Sequence, residues 1–233
     1  MRMRMRLLAL VGALVFLGAV DPSASNAAGG KLIRVEFSGV IRTTTNDPFG
    51  EPYAHWKGKP VKGYFLYDPA TRNALTPEQV EKKRTKRNAG TRSKRTLKEE
   101  TTHIYLQNLP RSGFELELPG HKIVGSRRPL IHIKYRELDT KNSQFLFKDG
   151  KGAYVEYKRR QQHGRLMVDG ESVKDAQVTL HFFDRGERLK SADLPEKFPF
   201  VLGKDLRLGA SVDVGGRAIL FEVTKLSWKP ESR

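Results

Sequence analysis

Apolar and polar residues alternate one by one in six separate runs of the sequence. Because successive side chains of a β-strand point to opposite faces, each run places its apolar residues on one face and its polar residues on the other. Antiparallel sheets with one buried and one solvated face produce this pattern. The six runs lie at 33–41, 61–67, 114–118, 131–135, 176–182 and 219–223.

Turn-forming residues separate these runs. Asp149-Gly150 and Asp169-Gly170 predict hairpins because glycine tolerates positive φ. Asp68-Pro69 and Gly215-Gly216 mark further breaks. About ten short strands interrupted in this way predict an all-β protein, an antiparallel β-sandwich of the jelly-roll kind. The shorter strand candidates are at 103–107, 144–148, 153–158 and 166–169.

One segment has helical character. Thr76 can cap a helix that begins at Pro77, and Gln79 lies where its capping-box partner is expected. We expect this short helix to run to about Arg87 and to merge into a basic stretch, Lys82–Lys98. Because the stretch has almost no apolar residue, residues 76–99 are predicted to form a basic, flexible helix and loop insertion between two strands.

The N-terminus has the order of a secretory signal peptide. Three arginines among the first six residues precede an apolar run, Leu7–Val20, and small residues follow. The apolar run has 14 residues, fewer than the roughly 20 that a spanning helix needs. We therefore expect cleavage after residue 27 and export to the periplasm or beyond, with residues 28–233 forming a single β-sandwich domain. An uncleaved membrane anchor is the alternative.

The composition is strongly basic and lacks cysteine. The formal net charge of +17 favours contact with polyanions through long-range attraction and counterion release, although simple solubility explains it equally well. The absence of cysteine excludes thiol nucleophiles, cysteine-ligated zinc and iron–sulfur clusters. No cofactor and no metal site are predicted.

The basic stretch is the candidate binding element. It can wrap an anionic polysaccharide, lipopolysaccharide or an anionic membrane surface. It contains no aromatic residue to stack on bases, which argues against specific recognition of nucleic acid. A solvated loop without a ligand is the alternative. The candidate polyanion-binding residues are Lys82, Lys83, Arg84, Lys86, Arg87, Arg92, Lys94 and Arg95.

Motifs for catalysis are absent from the sequence: it has no nucleophile elbow of the G-x-S-x-G kind and no phosphate-binding glycine loop. Glu115 and Glu117 share one strand face and are candidates for the paired carboxylates of a glycan hydrolase, although a solvated strand face is the simpler explanation. Trp56 is either an exposed platform for a sugar or an aromatic that packs over a sandwich edge. The histidines, none at the spacing of a local zinc site, are His55, His103, His121, His132, His163 and His181.

Five short pieces occur in an order that is typical of one protein family. They are VEFSGVI (35–41), DPFG (47–50), VKGYFLYDPAT (61–71), VTLHFFDRGERLKSADLPEKFPF (178–200) and ILFEVTKLSW (219–228). In these pieces the chain resembles a family of bacterial secreted β-sandwich proteins of unknown function that often carry PEP-CTERM sorting signals. The resemblance implies a fold and an exported location but no activity. No sorting tail is evident here, and the basic stretch departs from the family pattern.

Three functional hypotheses follow from the sequence. The first is a non-enzymatic exported module that binds or scaffolds, with affinity for anionic polymers. The second is an envelope glycan hydrolase, and the third is a module whose basic loop recruits a protein partner. We favour the first, because the basic stretch is the strongest feature that strand formation does not explain.

Overall fold

Twelve strands form one continuous antiparallel sheet in the computed structural model of the protein. It describes residues 31–45, 53–81, 100–136, 143–150, 165–173, 175–185, 188–203 and 206–233. A one-turn helix, α1 (Tyr53–Trp56), follows the first strand, and a second helix, α2, is described over residues 77–81. The strands are β1 (Leu32–Thr45), β2 (Pro60–Tyr67), β3 (Glu100–Leu106), β4 (Phe114–Leu118), β5 (His121–Val124), β6 (Leu130–Arg136), β7 (Ser143–Gly150), β8 (Leu166–Val168), β9 (Glu171–Val173), β10 (Ala176–Asp184), β11 (Leu206–Val214) and β12 (Arg217–Glu231).

The sheet curls until its two halves face each other. Its hydrogen-bonded order is β3-β6-β7-β10-β11-β12-β1-β2-β4-β5-β8-β9, so β2 and β7 are five places apart. Five strand spacings span roughly 24 Å in a flat sheet, yet the ring centroids of Phe65 on β2 and Phe147 on β7 lie 4.8 Å apart. The all-β antiparallel sandwich predicted from the sequence is therefore confirmed, with both layers supplied by one folded sheet.

The bend between the halves lies around β11, β12 and β1. β11 and β12 pair only from Ala210 to Val214, and register shifts interrupt the pairing of β1 with β12 near Gly39. Such bulges bend a sheet and increase its twist. A Cβ atom on Gly39 would lie 1.9 Å from the carbonyl oxygen of Glu222, so the close approach of β12 requires glycine here. We call β3, β6, β7, β10 and β11 the first half, and the remaining strands the second half.

Aromatic rings fill the space between the halves. Phe65 of the second half lies within about 6 Å, centroid to centroid, of Phe145, Phe147 and Phe182 of the first half. The segment 188–203, which has no strand, adds Phe198, whose ring lies 5.7 Å from that of Phe65. The two layers therefore share one aromatic core.

Two turns behave as the sequence predicts. Asp169-Gly170 joins β8 to β9 with φ angles of 51° and 88°, and Gly215-Gly216 joins β11 to β12 with 62° and 80°. Positive φ at both central residues matches the right-handed twist of a two-residue hairpin.

The predicted hairpin at Asp149-Gly150 is wrong. Asp149 lies in β7 and Gly150 is its last residue, and they pair with Val178 and Gln177 of β10. Gly150 has φ 95°, and a Cβ atom there would meet the carbonyl oxygen of Ala176 at 2.1 Å. Glycine is therefore required here because two strands approach closely. The sequence Asp-Gly looks the same in this situation as in a turn.

The predicted start of α2 is confirmed. The Gln79 amide donates to Thr76 Oγ1 at 3.3 Å, and the Thr76 amide donates to Gln79 Oε1 at 3.0 Å, which completes a capping box. Its predicted end near Arg87 and the strand candidate at 153–158 lie outside the described residues. Helix α1 and strands β5, β9 and β11 were not predicted from the sequence.

Candidate functional site

Cross-strand ion pairs cover the outer face of the second half. Lys62 Nζ on β2 lies 2.8 Å from Glu117 Oε2 on β4, and Lys229 Nζ on β12 lies 2.9 Å from Glu36 Oε1 on β1. Bonds from Lys229 and Arg34 hold the pKa of Glu36 below its usual range. We call this surface the ion-paired face. Its ion-paired residues include Arg34, Arg42, Lys62, Lys122, Lys229, Glu36, Glu115, Glu117 and Glu222.

The candidate carboxylate pair belongs to the ion-paired face. Glu115 Oε1 lies 2.9 Å from Lys122 Nζ on β5, and Glu117 is bound by Lys62. The bond to Glu115 raises the pKa of Lys122. Each carboxylate is therefore paired with a lysine of a neighbouring strand. The arrangement supports the solvated strand face over a hydrolytic pair.

The outer face of the first half has a different composition. Three rows of side chains cross β6, β7 and β10, and their registers are set by the strand pairing. We call this surface the basic face. Its rows are Lys134–Gln144–Phe183, His132–Leu146–His181 and Leu130–Lys148–Thr179.

The lysines of the basic face have no acidic partner among the described residues. Neither Lys134 nor Lys148 takes part in an ion pair there. On the neighbouring strand β11, Asp213 accepts a hydrogen bond from the Gly216 amide at 3.1 Å and so caps its own hairpin. The positive charge of the basic face is therefore not compensated within this part of the fold.

His181 lies in the middle row of the basic face, on β10. Burial, followed by the charges of Lys134 and Lys148, lowers the pKa of His181 to about 4. Its Nε2 lies 3.2 Å from Gln144 Oε1, and its ring centroid lies 3.8 Å from that of Phe183. A half-buried imidazole that stays neutral at pH 7 therefore lies between two ammonium groups.

A small apolar cluster holds α2 over one corner of the basic face, where Leu130 is buried. Leu75, Ile104 of β3 and Leu130 of β6 are buried together, and Val80 of α2 packs against them. The chain then passes residue 81, the last described residue of α2, and is described again from Glu100 at the start of β3. Both ends of the intervening segment are thus attached at the edge of the first half.

The predicted polyanion-binding residues themselves lie outside the described part of the chain. Residues 82–99, and therefore every candidate from Lys82 to Arg95, fall in this segment. Sequence reasoning missed the basic face. Lys134 and Lys148 stand at polar positions of alternating runs, but their proximity follows from the pairing of β6 with β7, which the alternation does not specify.

The remaining described histidines are dispersed. His121 Nδ1 lies 2.6 Å from Asp169 Oδ2 and ties two hairpins together. The bond from the Lys122 amide to Asp169, followed by the bond from His121, holds the pKa of Asp169 below its usual range. His103 Nδ1 lies 3.0 Å from the hydroxyl of Tyr105. Within the described residues, no group of three or more His, Cys, Asp or Glu side chains could hold a metal ion.

Trp56 is not an exposed sugar platform. Its side chain is fully buried, and its ring stacks on His121 with centroids 5.9 Å apart. The alternative prediction, an aromatic that packs over an edge of the sandwich, fits this position. Among the described helices, none has the length and apolar character required to cross a membrane.

Comparisons with protein-family models, curated proteins and solved structures give no match to this chain. The resemblance to secreted β-sandwich proteins with sorting signals therefore stays a prediction.

Proposed function

We propose that this protein is an exported, non-enzymatic module that binds anionic polymers in the periplasm or outside the cell. The proposal joins two basic elements, the segment Lys82–Lys98 and the basic face. The segment contains nine lysines and arginines. The observation that carries the proposal is the attachment of both ends of this segment to the half of the sheet that displays Lys134 and Lys148.

The described residues on either side of the segment lie on β3 and β6. Val80 packs on the cluster of β3 and β6, and Glu100 opposite Arg136 returns the chain to the same two strands. A polymer held by the segment therefore lies within reach of the basic face. Charges that act on one polymer release counterions together, so affinity rises with each contact.

The ion-paired face should bind a polyanion less well than the basic face. Its lysines are already neutralised by carboxylates at about 2.8–2.9 Å, so a polyanion gains less there. The hydrolase hypothesis receives no support from Glu115 and Glu117, since a lysine binds each of them.

Binding to heparin over a range of salt concentrations tests the proposal. We expect affinity to fall steeply between about 50 and 200 mM salt, with a slope set by the number of charge contacts. Deleting residues 82–98 should weaken binding on the order of a hundredfold and flatten that slope, while the thermal melting transition stays in place. Heparin affinity that survives the deletion would contradict the proposal.

A matched pair of triple variants separates a located site from net charge. One variant replaces Lys82, Lys83 and Arg84 by alanine, and the other replaces Lys62, Lys122 and Lys229, so each loses three positive charges. We expect the first to weaken heparin binding clearly and the second to change it by less than about twofold. Equal losses would show that only the total charge matters and would overturn the proposal.

A further inference from the structure

The middle of the basic face combines charge with neutral hydrogen-bonding groups. Lys134 and Gln144 are directly paired, and Lys148 lies four residues further along β7, roughly 14 Å away along the strand. Thr179 of β10 is paired with Lys148, and His181 lies one row away. The amide of Gln144, the imidazole of His181 and the hydroxyl of Thr179 thus form a strip that runs from the row of Lys134 to the row of Lys148, beside Leu146.

The neutral state of His181 determines what this strip can bind. With Gln144 Oε1 as acceptor, the imidazole proton is on Nε2, and Nδ1 keeps a lone pair. The low pKa, which burial and the lysines Lys134 and Lys148 produce, maintains this state at neutral pH. The strip therefore offers an acceptor at His181 and both donors and acceptors at Gln144 and Thr179, which suits hydroxyl groups.

The described surface lacks the features that two other polyanions require. Insertion into a membrane uses exposed apolar anchors beside basic residues. The exposed large apolar residues among those described are Val201, Leu220 and Trp228, and none is on the basic face. Single-stranded nucleic acid needs exposed rings for base stacking, whereas Phe183 is half-buried and packed against His181.

We propose that the basic face is itself a binding surface for an acidic polysaccharide, with Lys134 and Lys148 on its carboxylate or sulfate groups and Gln144, Thr179 and His181 on its hydroxyls. This rests on the proposed polyanion function and adds the ligand class and the folded surface that recognises it. The polymer lies flat across β6, β7 and β10. The distance between Lys134 and Lys148 exceeds the length of one sugar ring, so oligosaccharides bind more tightly than monosaccharides.

Polygalacturonate oligomers and polyphosphate of equal charge are the test ligands, with phosphatidylglycerol vesicles as a third. The double variant K134A/K148A should weaken binding of both polymers by roughly tenfold or more. The double variant Q144A/T179V should weaken polygalacturonate binding about three- to tenfold, the effect of one or two hydrogen bonds, and leave polyphosphate binding within about twofold. The control K62A/K229A, on the ion-paired face, should leave both within about twofold.

The outcomes distinguish this inference from the function on which it rests. If the unmodified protein binds neither polymer at low salt, the proposed function fails. If it binds both and K134A/K148A behaves like K62A/K229A, the polyanion function stands and the basic face is not the site. Equal losses for both polymers in Q144A/T179V, or a preference for vesicles over polygalacturonate, would overturn the polysaccharide class. Circular dichroism and melting temperature confirm that each variant is folded.

Discussion

The two outer faces of the sandwich cover the same core and are both built from antiparallel strands, but they differ in whether their lysines are paired with carboxylates. On the ion-paired face, Lys62 and Lys229 are held by carboxylates of neighbouring strands. On the basic face, Lys134 and Lys148 are held by none among the described residues. Cross-strand pairs of opposite charge are one way to stabilise a solvated sheet face. A face without them leaves its charge available to a ligand.

If one shared core supports both faces, removing the ring of Phe65 should have the largest effect on stability. Its ring is fully buried and contacts aromatic rings of the opposite layer. Phe65→Ala should lower the free energy of unfolding by about 3–5 kcal/mol, because a cavity replaces a large ring. Urea denaturation measures this.

Phe183→Ala, on the basic face, is the matched control for Phe65→Ala. The ring of Phe183 is half-buried and lies on the outer side of β10, so its loss should cost much less than that of Phe65. Two separate unfolding transitions in Phe65→Ala, or an equal loss of unfolding free energy in the two variants, would contradict a single core between the faces.

A buried ion pair should outweigh any pair on the ion-paired face. Asp68 is almost fully buried, accepts a bond from the Ala70 amide at 2.9 Å and pairs with Arg233. Arg233→Ala leaves this carboxylate buried without its cation, which should cost about 3 kcal/mol. Lys62→Ala, which removes a surface pair, should cost at most about 1 kcal/mol. Thermal unfolding compares the two, and a smaller effect of Arg233→Ala would reverse the ranking.

The sequence was most informative about local structure. The alternating runs located the long strands, because burial of one face imposes a period of two. The Thr76–Gln79 capping box was visible for the same reason, since both partners lie within one turn. Short strands such as β5 and β9 escaped detection, because three or four residues are too few to show a period.

The basic face could not be predicted from the sequence. It depends on which strands are neighbours, and the order β6-β7-β10 is not sequential along the chain. The hairpin prediction at Asp149-Gly150 was wrong for a related reason. An aspartate before glycine has the same sequence pattern whether it turns the chain or is buried beside a neighbouring strand, and only the packing of β10 and Ser126 decides between these.

Proton binding should distinguish the two halves by the sign of its effect on stability. Burial raises the pKa of Asp149 on β7, although the Ser126 amide and hydroxyl donate to it at 2.7 Å each. The folded state therefore binds this proton more tightly than the unfolded chain. The free energy of unfolding should fall as pH rises from about 4 to the raised pKa, by about 1.4 kcal/mol per pH unit.

Glu36 on the ion-paired face should have the opposite dependence. Its pKa is lowered by Lys229 and Arg34, so its contribution is present above its unfolded pKa of about 4.3 and is lost as pH falls. Urea unfolding at several pH values, with Asp149→Asn and Glu36→Gln, measures each contribution. Asp149→Asn that leaves the pH profile unchanged would show that this carboxyl group is not the source of the falling slope.

The smallest effect should come from converting the ion-paired face into a second basic face. Glu36→Gln with Glu117→Gln removes the carboxylates that hold Lys62 and Lys229, and one of the two that pair with Arg34. Stability should change by less than about 1 kcal/mol per pair, because these partners are largely solvated. Affinity for polyphosphate should rise a few-fold, and its salt dependence should steepen, since each newly available cation can release counterions. Affinity for polygalacturonate should rise less than affinity for polyphosphate, because the ion-paired face lacks the strip formed by Gln144, Thr179 and His181. Unchanged binding of both polymers would mean that ion pairing does not explain the difference between the two faces.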